Sequence, residues 1–168
     1  MDLKNRASRS GPRLGARGFT LIELIVVIII LSILAATALP RFAALQTQAR
    51  IAKLNAAAGA MKGAAALAHA ACLASLPQCT SVQLMEGVSV TMVNTYPTAN
   101  ASGIIAAAGI TAGPNSPDGY DIAGGGMGAG DILKIMVLGN DPANCYVNYT
   151  APGSNQAPSF SAPITGGC

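Results

Sequence analysis

Apolar and polar positions divide this chain into three regimes. From Phe19 to Leu39 the side chains are apolar, save three small hydroxyls (Thr20, Ser32, Thr37) and one ionisable group, Glu23. Beyond Pro40 the pattern becomes amphipathic. Leu54, Ala58, Met61, Ala65, Ala68 and Cys72 recur at alternating steps of four and three and mark one helical face. Gln48, Asn55, Lys62 and His69 recur every seven and mark another. After Pro77 the period drops to two: Val88, Val90 and Met92 alternate with Ser89 and Thr91, the signal of a half-buried strand.

These regimes predict one long helix from Phe19 through Pro40 to about Cys72, then a strand-rich region. Pro40 removes the hydrogen bond to the carbonyl of Ala36 and so predicts a kink or local melting. A helix over that whole range would be about 80 Å long at roughly 1.5 Å per residue. Asn94 to Asn100 reads as a turn, Ala101 to Ala108 as a short helix, and Gly113 to Gly119 as a loop rich in breakers. Asp131 to Leu138 reads as a second strand and Cys145 to Thr150 as a third. Ser159 to Ile164 reads as a fourth that Pro158 and Pro163 confine to an edge. The expected fold class is α+β, with an antiparallel sheet packed on the C-terminal half of the helix.

The apolar run has a physical consequence. A bilayer-spanning helix takes roughly 20 mostly apolar residues, and Phe19 to Leu39 just reaches that length. A carboxylate inside such a segment costs about 2.5–3.5 kcal/mol on insertion scales, so Glu23 is a functional candidate that requires a partner. Residues 1–18 carry five basic side chains against Asp2 alone, a basic leader that belongs on the cytoplasmic side. The chain's net charge of +3 belongs to that leader. From Phe19 onward five basic groups face six acidic ones, so the basic balance does not point to nucleic acid as a partner.

The four cysteines change the picture of the C-terminal region. With an export signal, an even count suggests disulfides formed in an oxidising compartment. Three pairings are possible, and the local one is expected. Cys72 and Cys79 bracket the Leu76-Pro77 break, and Cys145 and Cys168 enclose a Pro/Gly-rich segment. Zinc is the rival reading, but neither pair has metal-ligand spacing and His69 is the only histidine. No cofactor or metal is expected.

Gly18-Phe19-Thr20-Leu21-Ile22-Glu23, running into the apolar segment and Pro40, resembles the N-terminus of type IV pilins and of the related type II secretion pseudopilins. The resemblance covers about 35 residues. It implies cleavage of the leader after Gly18, N-methylation of Phe19, and assembly roles for Glu23 and Pro40. The amine created at Phe19 would pair with Glu23 of a neighbouring subunit; pairing with Glu23 of its own chain is the alternative. Four parts follow: a cleaved leader (1–18), a membrane or filament-core helix (19–40), an amphipathic helical half (41–73) and a β-rich head (74–168). Cys145/Cys168 resembles the disulfide-bounded C-terminal loop of many such pilins.

The implied function is that of a structural, non-enzymatic subunit of a pilus serving adhesion or motility. Its implied partners are further copies of itself, a prepilin peptidase, the assembly machinery, and the inner membrane before export to the surface. Pro40-Arg41-Phe42, Leu45-Gln46, Ala49-Arg50, Gly87-Val88 and Tyr96-Pro97-Thr98-Ala99 look like the mannose-sensitive haemagglutinin pilin subgroup. A pseudopilin or minor pilin is the alternative within the family. A secreted domain cut after Ala38, at the Ala36-Thr37-Ala38 pattern, is the alternative outside it, and Glu23 and Pro40 argue against that cut.

Other motifs read as structure. Gly124 to Gly130 lacks the Lys-Ser/Thr ending of a phosphate loop and is expected to be a flexible surface loop. Asp118, Asp121 and Asp131 are the candidate ligands for a calcium ion, a minor reading because they have no EF-hand spacing. Asn100-Ala101-Ser102 and Asn148-Tyr149-Thr150 match the glycosylation sequon, a short pattern. His69 is expected to be a surface helix residue. Only Phe19 and Phe42 are aromatic in the long helix, which leaves an electron-conducting filament little basis.

Overall fold

A computed structural model describes residues 18–75, 79–83, 87–139 and 141–168. The leader up to Arg17 and the Leu76-Pro77 break lie outside these residues. The chain divides into two compact units, one ending at Phe42 and the other formed by Ala43–Cys168.

Helix α1 runs Leu21–Ala74 with Pro40 inside it. Helical conformation is unbroken through Pro40, so no local melting accompanies the lost donor. In the first unit, all large apolar side chains from Phe19 to Leu39 are 41–75% exposed.

In the second unit, α1 buries Leu54, Ala57, Ala58, Met61, Ala64, Ala65, Ala68 and Cys72. That is the expected face, widened by Ala57 and Ala64. Against it stand two antiparallel sheets where the periodicity suggested one. The first has the order β1 (Ser81–Gln83), β2 (Ser89–Val93), β3 (Tyr96–Pro97). The second is a meander of β4 (Tyr120–Gly124), β5 (Ile132–Val137), β6 (Tyr146–Thr150) and β7 (Ser159–Phe160). Leu54 to Ala65 share one core with Leu133, Ile135, Val137, Val147 and Tyr149 of the meander. Ala68 and Cys72 share another with Val82, Val90 and Met92 of the first sheet. One helical stripe thus serves both sheets in succession.

The predicted strands at 88–92, 131–138 and 145–150 appear within a residue or two. The fourth shrinks to two paired residues and a bridge between Ile164 and Tyr146. The expected short helix becomes a π-helical turn, Ala101–Ile105, continued by Ala106 and Ala107. Its distortion centres on Gly103, which has φ −99° and ψ −107° and is buried against Thr98. A Cβ at Gly103 would collide with the Thr98 carbonyl and hydroxyl. Thr98 cannot retreat: it is buried, its hydroxyl lies 2.5 Å from that of Thr91, and its carbonyl accepts from Ile104 N–H at 2.9 Å. Gly103→Ala should therefore lose about 1–3 kcal/mol, the range for overpacking. Gly63→Ala, where a Cβ meets nothing, should be neutral or slightly stabilising. Urea unfolding of both variants checks the contrast, and equal midpoints would refute it.

The glycine run is a fixed β4–β5 connection rather than a flexible loop. Gly125 and Gly126 N–H donate to Ile132 and Ala99 carbonyls at 2.8 and 2.9 Å. Gly128 N–H donates to the Asp131 carboxylate at 2.7 Å. A Cβ at Gly125 or Gly126 would strike the Ala99 carbonyl or that carboxylate, which explains glycine there by close approach.

Candidate assembly site on the N-terminal helix

Thr20 immediately precedes α1, which begins at Leu21. Its hydroxyl accepts from Glu23 N–H and its carbonyl from Leu24 N–H, each at 3.3 Å. Thr20 is thus the N-cap, and Glu23 sits in the first turn, where the helix dipole favours a negative charge. Thr20-x-x-Glu23 is the spacing of a capping box, a signal the apolar pattern obscures.

The other polar side chains of the run are satisfied internally. Ser32 Oγ donates to the Ile28 carbonyl at 2.6 Å, and Thr37 Oγ1 to that of Leu34 at 3.0 Å. Hydroxyls bonded back onto their own helix carry little cost in an apolar medium. Glu23 is left as the single charge on an exposed apolar surface. Gly18, Phe19 and Glu23 lie at one end of this segment, and Pro40 follows at the other. The Ala36-Thr37-Ala38 pattern lies inside unbroken helix.

The cysteines lie in the second unit. Cys72 is joined to Cys79, with Cα atoms 5.5 Å apart, and Cys145 to Cys168 at 4.9 Å. The second loop is tied down further by Arg50 of α1, whose Nη1 donates to the Cys168 carbonyl at 2.8 Å. The end of the loop also pairs with the residues just before Cys145, through Asp141 N–H to Gly167 O and Gly167 N–H to Asn144 O.

Among the described residues, no three histidine, cysteine or acidic side chains gather as a metal site. Asp118 accepts from Thr111 N–H, Asp121 from its neighbour Ile122, and Asp131 from the glycine loop. The calcium idea therefore finds no cluster. His69 is more than a surface residue. Its ring stacks on Tyr96 at 4.0 Å, and Nδ1 lies 3.0 Å from the Thr95 carbonyl.

The family comparison falls on the same segment. The family described as the prokaryotic N-terminal methylation motif matches residues 13–39. Over 53 residues the chain is 53% identical to a protein of Thermus thermophilus described as type IV narrow pilus major component PilA5. The match covers 32% of this chain, and it spans about half (46%) of that relative. No solved structure matches. These comparisons do not confirm the haemagglutinin subgroup.

Proposed function

From the premise that its N-terminal segment is that of a type IV pilin, we propose that this chain is a structural subunit of a type IV pilus, with no catalytic role. One observation carries the reading: a helix whose first turns expose an unbroken apolar surface marked by a single carboxylate. Such a surface must be covered, by lipid before assembly and by other copies of the same helix afterwards. The leader (1–18) is cut between Gly18 and Phe19 by a prepilin peptidase, and Phe19 is methylated. Residues 19–40 then hold the chain in the inner membrane. The assembly machinery draws it into a filament, with Glu23 set against the Phe19 amine of a neighbour. Residues 41–73 and the head at 74–168 form the outer part, displayed at the surface for adhesion or motility.

The intact mass of protein sheared from cells tests this. A chain beginning at methylated Phe19, lighter by four hydrogens for its two disulfides, is the expected result. A chain beginning at Leu39 in the medium would replace the filament with an ordinary secreted protein.

A further inference from the structure

Of the described lysine and arginine side chains, four find a partner inside the second unit. Arg50 donates to the Cys168 carbonyl, and Lys53, Lys62 and Lys134 lie over the rings of Tyr120, Phe160 and Tyr146 at 4.7, 5.7 and 4.1 Å. The remaining one, Arg41, is exposed and has no such partner among the described residues. We infer that Arg41 binds the phosphate of an anionic phospholipid, in the leaflet away from the leader, and so fixes the depth at which the chain waits in the membrane. This rests on the reading of residues 19–40 as a membrane span.

Arg41 stands where the uncharged run ends. Helix α1 continues unbroken from Leu21 through Pro40, so Leu21 to Arg41 rises about 30 Å at roughly 1.5 Å per residue. The hydrocarbon layer of a bilayer is about 30 Å thick. With the leader on the cytoplasmic side, Arg41 therefore arrives at the opposite layer of head groups, as the first charge after Glu23. That position runs against the bias that keeps basic residues cytoplasmic, so orientation of the chain does not explain it. Side chains on a helix lean toward its N-terminus, which turns the exposed Phe42 ring back toward hydrocarbon. The longer Arg41 keeps its stem there and lifts its guanidinium to the head groups.

The same depth selects the partner. A second copy waiting in the same membrane holds its helix at the same level. Its Glu23 then lies about 27 Å from Arg41 along the axis, and no other carboxylate occurs between Phe19 and Phe42. The described carboxylates of the head are engaged already: Asp118, Asp121, Asp131 and Asp141 each accept from a backbone N–H. What every neighbour at that level does offer is a phosphodiester. Its two free oxygens match the planar fork of a guanidinium. A zwitterionic lipid carries its own ammonium beside the phosphate, whereas an anionic one leaves the phosphate to Arg41. The contact locks the span vertically, and drawing the chain into a filament must break it.

The chain contains no tryptophan, so Phe42→Trp supplies a single indole beside Arg41. The full chain with this reporter is placed in phosphatidylcholine vesicles holding a minor fraction of one lipid with brominated tails, which quench indole at short range. Brominated phosphatidylglycerol should reach the reporter about fivefold more often than brominated phosphatidylcholine, the factor for the roughly 1 kcal/mol that an arginine gains at an anionic surface. Arg41→Gln should bring that ratio to about one, and Arg41→Lys should keep part of it. The leader's basic groups lie about 30 Å away along the helix and do not reach the reporter. Equal quenching by the two phospholipids, or an unchanged ratio in Arg41→Gln, would overturn the lipid contact while leaving the span intact. If Arg41→Gln keeps the ratio but loses surface filament, the partner is instead Glu23 of a second copy. An equal preference for a brominated fatty acid, which has a carboxylate and no phosphate, would overturn the phosphate assignment. An indole quenched by neither phospholipid would overturn the membrane span itself, and the contact with it.

Discussion

Glu23→Ala should reach the membrane in normal amounts and yield almost no surface filament. The run it sits in is otherwise uncharged and exposed along its whole length. Once a neighbour's helices replace lipid, the amine at a processed Phe19 would be buried with no countercharge. Removing one partner of a buried pair costs about 3–5 kcal/mol, a factor of hundreds to thousands for each subunit added.

A competing account is that Glu23 serves only the helix, completing the cap with Thr20. Glu23→Gln separates the two, because glutamine also completes a capping box while lacking the charge. If charge sets the register, Gln fails as Ala does; if capping is the whole role, Gln assembles. Immunoblots of membrane and sheared fractions give the answer, and abundant filaments from Glu23→Ala would remove the register role.

How far the sequence could be read depended on how a residue's role is encoded. The apolar run and the Leu54–Cys72 face were legible because burial and lipid contact select for composition at a fixed period, and that period survives in the sequence. Strand β5 was legible for the same reason: Leu133, Ile135 and Val137 point inward in turn. Strand β4 was not, since none of its residues is fully buried and it ends in the glycine run. It exists because β5 offers it a partner, which no local pattern reports. The glycine loop was misread for a related reason. Freedom and close approach select the same residue, and only the Ala99 carbonyl and Asp131 carboxylate distinguish them. Arg50 and His69 look like members of a solvated helical face. Their partners lie 118 and 26 residues away. At the candidate assembly site, by contrast, almost everything is local: leader end, cap, carboxylate and proline follow in one short stretch.

The largest loss of head stability should come from Tyr149→Ala. Tyr149 stands in β6, is fully buried, and packs against Phe160 with ring centroids 5.2 Å apart. Its hydroxyl donates to the Pro97 carbonyl of β3 at 2.6 Å, so one side chain ties the meander to the first sheet. Truncation removes the ring and the tie together, at about 3–5 kcal/mol. Tyr149→Phe keeps the ring but leaves a carbonyl unpaired, for about 1–3 kcal/mol. The pH dependence then isolates the hydroxyl. Burial, helped by nearby Tyr96, pushes the phenol well above its ordinary value near 10. A group with a raised folded pKa contributes stability that is complete below the unfolded value and declines as pH climbs toward the folded one. The native chain should therefore lose stability above about pH 10. Tyr149→Phe starts lower at neutral pH but should lose less on the way to about pH 11. A residual slope is expected from Tyr120, raised by burial and by Asp118, whose hydroxyl donates to the Lys53 carbonyl at 3.0 Å. Urea unfolding at the two pH values decides the matter: parallel losses in native chain and Tyr149→Phe would mean the buried phenol carries none of the alkaline lability.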